Sequence, residues 1–264
     1  MRRLFICALL SVCVGCSSSS GSNPGAHDPV RMSESEYDIA RDLWLRRNQP
    51  REALAHALKA VDLDDGNAEA AHLVALLYLD FCSQGPTQCR LSDAEKHARI
   101  ALQLKPDFRE ARNTLAVVLI HEKKFAEAIA VLKPLTEDIL YQSPENACGN
   151  LGWAYLEQGA FDLAIDALKR SVAAQPLFCV GSFRLGLAFE HKLEFTSALD
   201  AFTRALETEA PGCNSLQEAF AARARVRLKL GDPDAGRADL DRCVALSGKT
   251  DVGKECSSML QKFK

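Results

Sequence analysis

The chain has 264 residues, of which 47% are hydrophobic, 25% charged and 7% aromatic, and its formal net charge is −3. This balance suits a globular protein and offers no basic surface for nucleic acid, since Lys and Arg run no further than pairs such as Arg46-Arg47 and Lys123-Lys124. No apolar run reaches the roughly 20 residues that cross a bilayer, and abundant alanine with few aromatics favours close-packed helices over a β-sandwich.

The first elements are export signals. Arg2-Arg3 form a charged start, Leu4 to Val14 a short apolar core, and Cys13-Val14-Gly15-Cys16 closes the segment. The segment resembles a bacterial lipoprotein signal peptide, with Cys13 standing where that family usually has Leu. The resemblance implies removal of residues 1–15, a covalent lipid on Cys16 as the new N-terminus, and, with Ser17 in place of an Asp, delivery to the periplasmic face of the outer membrane. Residues 16–33, rich in Ser, Gly and Pro, read as a flexible linker that buries no apolar surface.

From Glu34 one pattern recurs about every 34 residues. It is clearest over 145–178, where Leu151-Gly152, Tyr155, Ala164, Leu168 and Pro176 take the spacing of small, aromatic and breaker residues that resembles a tetratricopeptide repeat (TPR). Small residues let helices A and B of a repeat cross closely, Tyr155 and Leu168 fill the space around the contact, Gly159 breaks the chain between the helices, and Pro176 stops helix B. In chain order the repeats run 34–67, with Tyr37, Trp44, Ala53 and Pro50 opening helix B; 68–108, with Tyr78, Ala94 and Pro106 around an insertion; and 109–142, with Leu115-Ala116, Phe125 and Ala128. They continue over 145–178, 179–212, with Leu185-Gly186, Phe195, Ala198 and Phe202, and 217–250, with Gly231 and Leu240. Pro134 should kink or shorten the third helix B. Residues 251–264 read as an end helix that hides the last apolar face. The predicted fold is all-α, a right-handed superhelix of about six repeats with a C-terminal capping helix.

Ten cysteines are present. Cys7 and Cys13 leave with the signal and Cys16 takes lipid. Cys82 and Cys89 bracket a Gly-Pro turn that a disulfide would close. Cys148 and Cys179 sit near the starts of neighbouring A helices, and Cys243 could face Cys256. Cys213 is left over, and an alternative pairing of Cys179 with Cys213 would instead leave Cys148 single. The cysteines lack C-x2-C spacing, so zinc is not expected. Nor does the chain carry a second histidine after His121-Glu122 at zinc-helix spacing, a G-x-S-x-G elbow or a phosphate-cradling glycine loop. No catalysis, cofactor or small-molecule substrate is expected; scattered histidines default to solvated surface.

What remains is a surface. In a TPR stack the A helices line the concave face, and groove positions three apart share one helical side. They hold Leu76 and Leu79, Val117 and Ile120, Trp153 and Leu156, then Leu187 and Glu190, with Phe183 and Asn150 beside them. These residues read as an apolar, partner-binding strip across four repeats, bordered by Glu69, Glu110, Asn113, Asn146, Arg184 and Arg225. An amphipathic helix or extended apolar segment would suit it.

With the lipobox, six repeats and the wording Pro144-Glu145-Asn146 leading into Asn150-Leu151-Gly152-Trp153-Ala154-Tyr155, the chain resembles the outer-membrane TPR lipoproteins of type IV pilus biogenesis, the PilF/PilW/Tgl pilotins. That resemblance implies a non-enzymatic lipoprotein that promotes outer-membrane assembly of the pilus secretin, its partner being a secretin subunit. A general TPR scaffold of another envelope complex is the alternative.

Overall fold

The computed structural model describes residues 28–83 and 87–262, among which the chain forms thirteen α-helices, one 3-10 turn at Cys213–Ser215 and no strand. The first three repeats are α1 (Pro29–Leu45) with α2 (Pro50–Leu63), α3 (Ala68–Ser83) with α4 (Leu91–Leu104), and α5 (Arg109–His121) with α6 (Phe125–Leu135). The next three are α7 (Pro144–Gln158) with α8 (Phe161–Ala174), α9 (Cys179–His191) with α10 (Phe195–Glu207), and α11 (Gln217–Lys229) with α12 (Pro233–Leu246). The last helix, α13 (Asp251–Gln261), packs on both α11 and α12.

Each helix packs on the one before it, and the odd-numbered helices also touch one another in unbroken succession from α1 to α13. No two even-numbered helices touch to a comparable extent among the described residues. The odd helices therefore crowd a concave face and the even helices spread on the convex one. The result is the all-helical solenoid that the repeat period implies.

Small residues set the close crossings. Ala53, Ala94, Ala128, Ala164 and Ala198 open successive even helices and are all fully buried. The facing positions on the odd helices are small as well. Ala75 and Ala116 are fully buried, and Gly152 and Gly186 face Leu168 and Phe202. A Cβ on Gly186 would stand 2.4 Å from Phe202 Cε1, and one on Gly152 would stand 2.5 Å from Leu168 Cγ. Turns between paired helices need a left-handed residue: Gly159 (φ 81°) and Gly231 (φ 82°) supply it freely, while Lys123 and Leu193 hold φ near 60° as side-chain-bearing residues.

Several boundaries differ from the sequence reading. The segment 1–15, Cys16 and the serine-rich stretch lie outside the described residues. The supposed linker 16–33 gives way to helix at Pro29, because Asp28 caps the first turn by accepting from the Val30 N–H at 3.1 Å. Ser33 is buried, donating to the Ala60 carbonyl at 2.7 Å. Pro134 lies one residue from the end of α6, which has 11 residues where α8 has 14. In the sixth repeat a buried ion pair joins the helices: Asp239, 3% exposed, accepts from Arg223 Nε and Nη2 at 2.9 and 2.8 Å and from Arg227 Nη1 at 2.8 Å.

Three disulfides are present, Cys82–Cys89, Cys179–Cys213 and Cys243–Cys256. Cys148 is not paired with Cys179; it is a buried free thiol. The reason is local packing. Cys179 opens α9 against Ala205 and Cys213, facing forward to the connection after α10 and away from α7. Burial raises the Cys148 pKa, keeping it a protonated, inert thiol.

Gly186→Ala should lower stability by about 1–3 kcal/mol, because the fully buried Phe202 ring has nowhere to move; urea denaturation followed by circular dichroism measures it. A second expectation concerns acid. Burial pushes the His72 pKa from 6.5 down to about 4, and burial lowers His97 as well. On acidification the unfolded chain takes up these protons first, so stability is intact above pH 6.5 and falls between 6.5 and 4. His72 accounts for about 2–3 kcal/mol of that loss. His72→Gln, which can still donate to Thr114, should flatten the fall in urea midpoint between pH 7 and pH 4.5.

Candidate concave-face site

The α-helical repeat places residues three and four apart on one side, so α7 turns Asn150, Trp153 and Glu157 together toward the concave face. Its neighbours add Asn113 and His121 from α5 and Arg184 and Glu190 from α9. Arg225 from α11 and Glu255 from α13 complete the row.

These side chains form a connected polar layer. Asn150 Nδ2 donates to Asn113 Oδ1 at 3.0 Å, and Arg184 Nη1 donates to Asn150 Oδ1 at 3.4 Å. The Arg184 guanidinium stacks over the Trp153 ring, 4.2 Å from its centroid, while His121 meets the same ring edge-on at 5.0 Å. The Trp153 indole N–H donates to Glu157 Oε1 at 3.1 Å. One rung further, Arg225 donates from Nε and Nη2 to the two carboxylate oxygens of Glu190, both at 3.1 Å, and its Nη1 lies 3.7 Å from Glu255. Arg225 is thus neutralised. Arg184 has no ion pair among the described residues, and burial pulls its pKa down to about 10, with the nearby Glu157 charge working the other way.

The apolar strip expected from the sequence is not an open wall. Ile120 and Leu156 are buried, at 3% and 8% exposure. Leu76, Leu79, Val117, Asn150, Trp153, Phe183 and Leu187 are only partly exposed. Leu79 packs against the core of the first two repeats, Trp153 against the central core, and Leu187 against both the central core and that of the fifth repeat. Phe183 lies against Phe202 with ring centroids 6.0 Å apart. Contact between consecutive odd helices causes this: it turns the row assigned to the groove into the seam between repeats. Conversely, Asn113, Arg184 and Arg225, read as a polar border, share the concave layer with Asn150 and Trp153. Glu190, read at a groove position, does stand on this face, and the missed members are Glu157 and Glu255, which stand beside cations only once neighbouring repeats are stacked. His121 is exposed, as a surface histidine should be, yet its ring lies against Trp153. His191 stacks instead on Phe161, at 4.8 Å.

Among the described residues no group of three His, Cys, Asp or Glu side chains could hold a metal ion, and no helix is long and apolar enough to cross a membrane.

Comparison with known proteins fits this architecture. A family model for the tetratricopeptide repeat matches residues 88–136 and 150–212. The chain is similar in structure to PilW, a widely conserved type IV pilus biogenesis factor, at 24% identity, over 84% of this chain and 97% of that one, with a TM-score of 0.72. It is similar to PilF of Pseudomonas aeruginosa at 16% identity, over 88% and 99% of the two chains, with a TM-score of 0.67. YrrB, a TPR protein with an unusual peptide-binding site, aligns at 15% identity over 76% and 97%, with a TM-score of 0.51. No curated protein matches the chain in sequence.

Ile120→Ala should cost about 2–5 kcal/mol in urea denaturation, as a core truncation does. A neutral result would restore the open apolar wall.

Proposed function

We propose that this chain of tetratricopeptide repeats is a non-enzymatic, lipid-anchored adaptor that holds a segment of a partner protein along its concave face. Its most specific form is a pilotin: a lipoprotein attached through Cys16 to the periplasmic face of the outer membrane, promoting assembly of the type IV pilus secretin. The observation that carries this reading is the extent of the likeness to PilW, which runs over 97% of that chain and includes nearly the whole solenoid. The lipobox ending in Cys16 supports the anchor.

The polar concave layer changes the mechanism expected from sequence. A wall of Asn, Arg and Glu side chains around one aromatic does not shield a broad apolar surface of a secretin monomer. It suits an extended segment, whose backbone can exchange hydrogen bonds with Asn113 and Asn150 while a side chain rests by Trp153. In this role the protein holds a secretin subunit near the membrane during assembly. That same polarity favours the wider alternative, a scaffold of another envelope assembly complex, because an amide-lined groove accepts many extended segments.

Deleting the gene should abolish detergent-resistant secretin multimers on gels. Wild-type protein supplied in trans should restore them, and Cys16→Ala protein should stay in the soluble periplasmic fraction without restoring them. Normal multimers in the deletion strain would sink the pilotin reading; membrane retention of Cys16→Ala would sink the lipid anchor.

A further inference from the structure

We infer that Arg184 is a subsite for a single aspartate or glutamate side chain of an extended peptide segment in the concave groove. This rests on the reading of the groove as a peptide-holding face and specifies the chemistry it selects.

Among the described residues of this face the charge on Arg184 is unbalanced. Arg223 and Arg227 share the Asp239 carboxylate, and Arg225 is gripped by Glu190. Arg184, partly buried on α9 against α7, has one long hydrogen bond to a neutral acceptor, Asn150 Oδ1 at 3.4 Å, and the face of Trp153. A guanidinium carries five N–H donors, and a partly desolvated one without a counter-ion is costly. Stacking on Trp153 satisfies the flat face of the group and leaves its edge, where the donors are, directed along the ring plane. A carboxylate meets that edge with two parallel hydrogen bonds.

The surroundings hold this arrangement open. Glu157 is the nearest candidate counter-ion, but it is engaged by the Trp153 indole N–H at 3.1 Å and makes no ion pair with Arg184. Asn150 is locked by donating to Asn113 and accepting from Arg184, which fixes which end of its amide faces the cation. His121 braces the far edge of the indole.

Charge complementarity then narrows the ligand. Among the described residues of this face Arg184 is the cation without an ion pair, and Glu157, Glu190 and Glu255 stand on the same face, so the site takes a single carboxylate and repels phosphate or a run of acids. Reach narrows it further. Arg184 lies over the Trp153 ring and is joined through Asn150 to Asn113, so the cation sits directly beside the amides that would hold a peptide backbone. An Asp or Glu side chain can extend down from a backbone lying on the amides. A terminal main-chain carboxylate would require the backbone itself to occupy the space those side chains fill.

The test uses the folded chain immobilised on resin and pools of acetylated, amidated nonapeptides with randomised flanks and a fixed central Asp, Glu, Asn or Gln. Wild-type protein should retain the acidic pools about tenfold over the amide pools, and Arg184→Gln should bring that ratio to about one, the ratio and not the total retention being the readout. Arg184→Lys, which keeps the charge but loses the fork and the stack, should retain an intermediate preference, so the outcome remains readable if the Gln variant unfolds. Equal retention of acidic and amide pools by the wild type, or an acid preference unchanged in both variants, would overturn the assignment while leaving the groove reading intact. Retention confined to a parallel pool with free C-termini and no internal acids would overturn the side-chain assignment. No retention of any pool would overturn the groove reading itself.

Discussion

The fold depends on how closely two helices of one repeat can approach. Where Phe202 presses against α9, the facing residue is Gly186, and where Leu168 presses against α7 it is Gly152, each without room for a Cβ. Fully buried alanines at Ala53, Ala94, Ala128, Ala164 and Ala198 complete the crossings. This pairing of a small residue with a large one sets the spacing inside a repeat, and that spacing determines which side chains the next repeat receives. Burial of these apolar contacts, at roughly 25 cal/mol per Å² removed from water, drives the stacking.

Features that recur with the repeat were legible in the sequence. The crossing alanines, the Tyr and Phe fillers, Pro50 at a helix start and Gly159 at a left-handed turn each serve a local geometry that returns with every repeat, so their spacing reveals them. On the concave face the helices and polar members such as Asn150 and Arg184 were legible, but the burial of its apolar members was not. Whether Ile120 or Leu156 lines a groove or fills a seam depends on the rotation of one repeat against the next, a non-local quantity that no short spacing encodes. Glu190 and Arg225 lie 35 residues apart and meet only after that rotation is fixed. The pairing of Cys179 was open for the same reason: two partners sat at plausible spacings, and the direction in which α9 presents its first residue decided between them.

Irregularities in the period and the disulfides coincide. Cys82–Cys89 closes the insertion between α3 and α4, Cys179–Cys213 ties down the long connection before α11, and Cys243–Cys256 fastens α13 to α12. Regular repeats are held by stacking against two neighbours, whereas an insertion or a terminal helix lacks one of them. The covalent links therefore fall where packing is thinnest. The central repeats, which carry the Asn113–Asn150–Arg184 layer, rely on their own crossings and on the seam formed by Ile120 and Leu156.

These crosslinks give the molecule a timetable. Closing the 34-residue span between Cys179 and Cys213 removes about 4 kcal/mol of loop entropy from the unfolded chain, a large share of the 5–15 kcal/mol by which a typical domain is stable. A freshly made chain in a reducing compartment lacks that contribution and the two smaller ones. Its shape then rests on helix packing alone, and becomes durable only once its thiols have met an oxidant.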